Sequence, residues 1–233
     1  MLQLMRLLLL LPVFWLAVLP LSGIEQVPGQ QKQIEPFIDW LLLDGDRLED
    51  VRFAEVVKAV SGCEVIPVSK DAPVDALILQ EVEKAIDAML KAFEDKEHAV
   101  HGVGRINEVS RYIEDFLQTR LDAVEGLSCA IPLNSSGELQ RSGYPDLRLE
   151  HAESGRVFYI DPKVYKSGSE TSSFRTFYFE PKKETNKILD DASHLIVGVS
   201  HSGKVDGRWQ FAGWQVVNLI EFRVRLKAEF QSS

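Results

Sequence analysis

The chain has 233 residues, 45% of them hydrophobic and 26% charged, with a formal net charge of −9. These values exclude a disordered chain and a multi-span membrane protein, and the acidity argues against a general nucleic-acid coat. The length suits one domain of ordinary size, or a domain with a small appendage. The charge is uneven: Ile24 to Gly137 carries 11 basic against 22 acidic residues, whereas Glu138 to Ser233 carries 14 against 13.

The first 23 residues, MLQLMRLLLLLPVFWLAVLPLSG, have one positive charge at Arg6, then an apolar run from Leu7 to Leu21 and small residues. This pattern predicts a secretory signal, with mature protein beginning near Ile24 and located outside the cytoplasm, secreted or periplasmic. The run is about fifteen residues long and is broken by Pro12 and Pro20, whereas a spanning helix needs about 20. No stable membrane span is therefore expected after signal removal; anchoring by an uncleaved leader is the alternative. No cysteine follows the small residues, so lipid attachment there is not indicated. Residues 24–33, IEQVPGQQKQ, read as a polar linker.

Residues 34–104 read as a helical N-terminal region. The segments IEPFIDWLLL and RLEDVRFAEVVKAV carry apolar residues at helical spacing, with Gly62 as the stop of the second. A third helix is expected in DAPVDALILQEVEKAIDAMLKAFED, capped by Asp75 and turning Leu77, Leu79, Val82, Ile86, Leu90 and Phe93 inward. A fourth is expected in INEVSRYIEDFLQTRLDAV, with Ile106, Val109, Ile113, Phe116, Leu117 and Leu121 inward. After Gly126 the segments SCAIPL, YPDLRL, RVFYIDPKVY, SFRTFYFE, HLIVGVSH and WQVVNL are short and rich in β-branched and aromatic residues, which predicts strands. One short helix is expected in KKETNKILDDA. Helices first and strands second imply an α/β or α+β domain, a mixed β-sheet flanked by helices.

The hairpin GYPDLRLEHAESGRVFYIDPKVY, Gly143 to Tyr165, carries the chemistry. If Leu147 to Arg156 turns tightly around Glu153 and Ser154, residues whose numbers sum to about 307 face each other, and Asp146 stands opposite Asp161. Opposed like charges destabilise a hairpin unless a cation lies between them. Two hard oxygen ligands at that separation suit Mg²⁺, which binds one or two carboxylates plus waters and substrate phosphate. The strand period puts Lys163 on the face of Asp161, with Tyr159 and Tyr165, and sends Phe158, Ile160 and Val164 to the other; one face is expected as core and the other as chemistry. Pro162 cannot donate to a ladder, so a bulge or a divergence of neighbours is expected there. A lysine beside a metal and a scissile phosphate can orient or help deprotonate the attacking water and stabilise developing charge.

Pro145-Asp146, a spacer of 14 residues, then Asp161-x-Lys163 after an apolar strand resembles the PD-(D/E)xK nuclease superfamily, which includes many restriction endonucleases. The resemblance covers about Arg105 to Val199, with the later WQVVNLIEFRVRLKAEF similar to the tail of some restriction-type members, and it assigns residues 105–233 to a restriction endonuclease-like core. It implies a Mg²⁺-dependent endonuclease acting on phosphodiester bonds of nucleic acid, DNA first, with one or two ions. Asp146 and Asp161 would be metal ligands and Lys163 the residue serving the water. The superfamily's helix before the sheet often adds an acid, which implies Glu108 in the metal shell, with Glu114 as second choice. A homodimer is open. The aspartate at the second acidic position, where many members have glutamate, and the leader depart from the restriction pattern. A binding or structural module on the same fold, without catalysis, is the alternative.

Arg175 in SSFRTF, with Ser172 and Ser173, is placed to hold a substrate phosphate, and FRVRLK alternates Arg223, Arg225 and Lys227 into one basic face. GVSHSGKV nearly matches a phosphate-binding loop but ends in Val205 where Ser or Thr is needed, and reads as a polar hairpin turn. His98 and His101 lack an evident third ligand for zinc and read as a surface pair, and His194 and His201 as strand-end histidines. The two cysteines, Cys63 and Cys129, form an even set that export would permit to pair; otherwise they are two buried small side chains.

Overall fold

The computed structural model describes residues 49–169 and 185–225, all within the compact unit Asp46–Ser233. Strand β1 (Val51–Arg52) leads into α1 (Phe53–Ser61), followed by α2 (Pro73–Phe93) and α3 (Ile106–Asp122). Strands β2 (Leu127–Ala130), β3 (Leu147–His151), β4 (Arg156–Lys166), β5 (Ser193–Val205) and β6 (Arg208–Asn218) form one five-stranded sheet in that order, and β7 (Arg223–Val224) pairs with β1. Only β4 and β5 run parallel; the other neighbours are antiparallel. The described chain is thus a mixed sheet flanked by helices, the expected class, consistent with a restriction endonuclease-like core.

The helices start and stop where their chemistry changes. Gly62 ends α1 in the left-handed conformation, with φ of 79°, returning its N–H to Lys58. Pro73 opens α2, and Asp75 is not its cap: it sits in the first turn, buried, and accepts from the Ser69 N–H and the Arg156 guanidinium. The inward face of α2 is Ile78, Val82, Ile86, Met89 and Phe93, which leaves Leu77 exposed. On α3 the residues Val109, Ile113, Leu117 and Leu121 are fully buried.

Two cores cover the two faces of the sheet. The first joins α2 and α3 to Leu147, Leu149, Phe158, Ile160, Leu195 and Val197. Residues from both sides of position 104 share it. The second collects Phe53, Val57, Tyr144, Val157, Tyr159, Ile188, Ile196 and Leu219. The parallel pair β4–β5 is consequently buried on both faces. This corrects the expectation that the Tyr159 side of β4 is given over to chemistry, because Tyr159 is fully buried in the second core.

Residues 185–192, the described part of the short helix expected before β5, are a loop. The Tyr159 hydroxyl donates to Asp190 and accepts the N–H groups of Leu189 and Asp190, while Ile188 enters the second core. Those tertiary bonds replace the helical ones. The near-match to a phosphate loop lies within β5, whose bulges fall around His201, and the turn into β6 is Asp206-Gly207, both with positive φ as a two-residue hairpin turn requires. The leader, the linker, the first expected helix and the strand SFRTFYFE lie outside the described residues, as do Ser172, Ser173, Arg175 and Lys227.

Candidate active site

The hairpin register is the expected one: Leu147 pairs with Ile160 and His151 with Arg156, each pair summing to 307. Pairing of β3 with β4 stops at Leu147. Upstream the chain leaves through Tyr144, Pro145 and Asp146, whereas β4 continues to Lys166 alongside β5 alone. Asp146 and Asp161 stand at this fork, and Pro162 lies on the stretch that has lost its β3 neighbour. Asp161 is buried, 2% exposed, and the Lys163 ammonium is in ion-pair contact with its Oδ2 and 3.8 Å from Oδ2 of Asp146. The fork therefore brings together the two acids and the lysine.

Directly beside Lys163 in the parallel ladder is Gly198. A β carbon there would lie 3.1 Å from Tyr165 Cε1 and 3.3 Å from Gln215 Cγ. The glycine lets Tyr165 fold across the strand, within 3.4 Å of the Gln215 amide. This closes the floor on the Lys163 side.

Electrostatics at the fork are those of acids crowded out of water. Burial, then the charge of Asp161, pushes the Asp146 carboxyl up to about 8, although Lys163 pulls the other way. For Lys163, burial acts to lower the pKa, but the attraction of Asp161 and Asp146 outweighs it and the ammonium is held above its ordinary value. Glu114 of α3 is half-buried and raised by burial; Arg141, 3.8 Å away, opposes this, and Asp161 and Lys163 both act on it. Glu114 is thus the helix acid in the field of the fork. Glu108, chosen first from the sequence, is exposed in the first turn of α3 and turns back to the Arg105 N–H at 3.4 Å as part of a capping box. It does not join the fork.

The donor set suits a hard divalent cation. It consists of oxygen, two facing carboxylates with a third nearby, and Oδ2 of Asp161 is buried with the Lys163 ion pair but no well-directed hydrogen bond. Such an oxygen has a lone pair free for a ligand. Among the described residues no group of three or more His, Cys, Asp or Glu is arranged to hold a metal.

Other expected residues fall away from the fork. His98 packs on Phe93 at 4.7 Å with Nδ1 accepting from Val100, and His101 Nε2 bonds the Asp95 carbonyl. His201 stacks edge-on against Trp209. The cysteine pair is not formed: both thiols are free, Cys129 in the first core and Cys63 against the second. The sheet divides those cores. Two contributors were missed from sequence: Arg141, which holds Glu114 and Asp115, and Lys187, which is fully buried; His194 is the expected strand-end histidine, its Nδ1 2.6 Å from the Tyr144 hydroxyl. Only Arg141 had a signal, a lone base immediately before the hairpin.

Comparison with known proteins gives two findings. Residues 47–233 match the model of the type II restriction enzyme MjaV family, a span that includes every element described above. The type II restriction enzyme MjaV of Methanocaldococcus jannaschii is 28% identical over 200 residues, which is 80% of this chain and 84% of that protein.

Proposed function

The chain belongs to the type II restriction enzyme MjaV family, and from that premise we propose that it is a Mg²⁺-dependent DNA endonuclease of the PD-(D/E)xK type. The observation that carries this reading is the fork: Asp146, Asp161 and Lys163 converge where β3 leaves β4. Asp146 and Asp161 would hold the ion, with Glu114 the helix acid whose charge acts on Asp146. When bound, the cation supplies Lewis-acid stabilisation of the phosphodiester and a more acidic water.

Each residue then has a defined task. The two aspartates would hold the cation, and beyond Ile160 β4 has no β3 neighbour to exclude a DNA strand. Lys163, with its side chain 39% exposed, can reach out to orient the attacking water and donate to the phosphate oxygens as charge develops. Arg175 and Ser173 retain their proposed role at the substrate phosphate.

The test is cleavage of plasmid DNA by the purified chain with Mg²⁺ and with chelator. Discrete fragments in Mg²⁺, lost on chelation and absent for Asp161→Asn, are expected. Intact DNA with several metals, from a folded protein, would instead favour a binding module. The segment from Met1 to Gly23 precedes the matched span, and its single charge and apolar run support a cleaved secretory signal. N-terminal sequencing should find Ile24 or a near neighbour first; full-length protein in the cytosol would return the enzyme to that compartment.

A further inference from the structure

Pairing of β3 with β4 ends at Leu147 opposite Ile160, so Asp146 is the first residue upstream with no ladder to hold it. Asp161, by contrast, lies inside the β4–β5 ladder, beside Ile196. When both carboxylates are ionised they repel, and a chain released from its ladder is free to carry Asp146 away. A hold of another kind lies two residues further back. The Tyr144 side chain is buried in the second core, and its hydroxyl is hydrogen-bonded to Nδ1 of His194 at 2.6 Å. Only Pro145, whose ring fixes φ, separates that anchor from Asp146.

His194 lies on β5, beside Tyr159 in the parallel ladder and two residues before Ile196, the ladder partner of Asp161. One short stretch of β5 thus supports both acids, Asp161 through the ladder and Asp146 through Tyr144. The imidazole is fully buried and stacks on the Tyr144 ring at 5.8 Å and 16°, while Phe53 meets the two rings edge-on at 5.6 and 5.7 Å. Its Nε2 has no hydrogen-bond partner among the described residues. A buried ring nitrogen left unmet costs free energy that an aliphatic side chain would not. Stability alone is therefore a poor account of a histidine at this position, and what the ring adds is its bond to Tyr144.

Resting on the metal-dependent reading above, we propose that His194 is a positioning residue: through the Tyr144 hydroxyl it ties the ladder-free segment from Tyr144 to Asp146 to β5, so that the Asp146 carboxylate stays at the fork for the cation. It touches neither the ion nor the substrate. Tyr159 is the natural comparison. Its hydroxyl is also hydrogen-bonded, to Asp190, and it too stands two residues before an aspartate of the fork. Its backbone, however, is paired on both sides, with Arg148 and with His194, so the place of Asp161 does not depend on that hydroxyl.

The test is Mn²⁺ titration of the full chain without DNA, followed by the EPR signal of the free ion, beside melts in chelator. His194→Leu and Tyr144→Phe should each weaken Mn²⁺ binding about three- to tenfold, the loss of one net hydrogen bond from the arrangement that binds the ion, and the double variant should be no weaker than either. Tyr159→Phe should lower the melting temperature and leave the affinity at the parental value. Saturating Mn²⁺ should bring DNA cleavage by His194→Leu back toward the parental rate. An equal loss of affinity in Tyr159→Phe, additive losses in the double variant, parental affinity in either single variant, or cleavage that saturating Mn²⁺ does not restore would overturn the inference while leaving a metal-dependent nuclease intact. A parent that binds no more Mn²⁺ than Asp161→Asn would overturn both. If His194→Leu does not fold, Tyr144→Phe, which removes one oxygen, carries the same expectations; if neither folds, the pair serves folding and the inference is also overturned.

Discussion

The two faces of the sheet are built from different materials. The α2–α3 face is mostly aliphatic, with Leu117, Ile113, Phe158 and Val197 fully buried beside Met89, Phe93 and Cys129. The other face is smaller and mixes Phe53 and Ile196 with Tyr144, Tyr159 and His194, whose rings lie 5.1 to 5.8 Å apart around the histidine. His194 is kept neutral by burial, its pKa lowered to about 3. Asp146 follows Tyr144 by two residues, so the polar face grades directly into the carboxylate fork. The aliphatic core supplies stability, and the mixed core positions charge.

The sharpest break of this division is Leu117→Ala. Truncating a fully buried leucine of the aliphatic face should cost about 2–5 kcal/mol in chemical denaturation, with metal affinity of the remaining folded protein unchanged. A variant that keeps its stability but loses Mn²⁺ binding would show that the two faces do not divide the work in this way.

Next in size is Lys163→Ala. Removing one positioned ammonium from the fork should lower the DNA cleavage rate by about 10²-fold or more. Binding of the divalent cation should persist, tightened if anything by loss of a like charge. Single-turnover cleavage beside a metal titration separates the two, and loss of metal binding with the lysine would make it part of the ligand scaffold.

Asp146→Asn sharpens the comparison through pH. In the metal-free fold the Asp146 carboxyl holds its proton to about 8, against an ordinary value of 3.8. Between those values the folded state binds more protons than the unfolded chain, so this group lowers stability as pH rises from about 4 to about 8, and the loss is complete above that. The parent's melting temperature in chelator should therefore decline across that interval more steeply than that of Asp146→Asn, which should match or exceed the parent at pH 8 and bind Mg²⁺ far more weakly. Equal slopes, or parental Mg²⁺ binding by the variant, would make Asp146 an ordinary turn residue.

Much of the fork was legible because its parts are local. A short hairpin fixes its own register, so Asp146 and Asp161 were placed opposite each other by counting, and the period of two carried Lys163 to the same side. Helices α1 and α3 were readable from amphipathic spacing and, for α1, from Gly62. What could not be read depends on distant partners. Tyr159 was assigned to an open face because no local pattern shows that α1 and the 185–192 loop cover it. That loop was taken for a helix because its hydrogen bonds go to a tyrosine about thirty residues away. Lys187 looks like any surface lysine until the fold buries it.

The smallest expected effects lie on α3, where two glutamates six positions apart have opposite surroundings. Glu108 is exposed and bonds its own helix start, so Glu108→Gln, which keeps an acceptor, should change stability by less than about 0.5 kcal/mol and leave divalent-ion affinity alone. Glu114 is crowded by burial and by the fork, with Arg141 only partly compensating. Glu114→Gln removes a charge that the metal-free fold holds at a cost, so it should leave the melting temperature level or slightly raised in chelator. It should also weaken Mn²⁺ binding several-fold, because a carboxylate near the ion contributes even without direct ligation. Melts in chelator and EPR titrations of the two variants, read side by side, decide between the acids: a metal deficit in Glu108→Gln and none in Glu114→Gln would restore the residue first chosen from the sequence, and would require the first turn of α3 to unwind toward the fork when the ion binds.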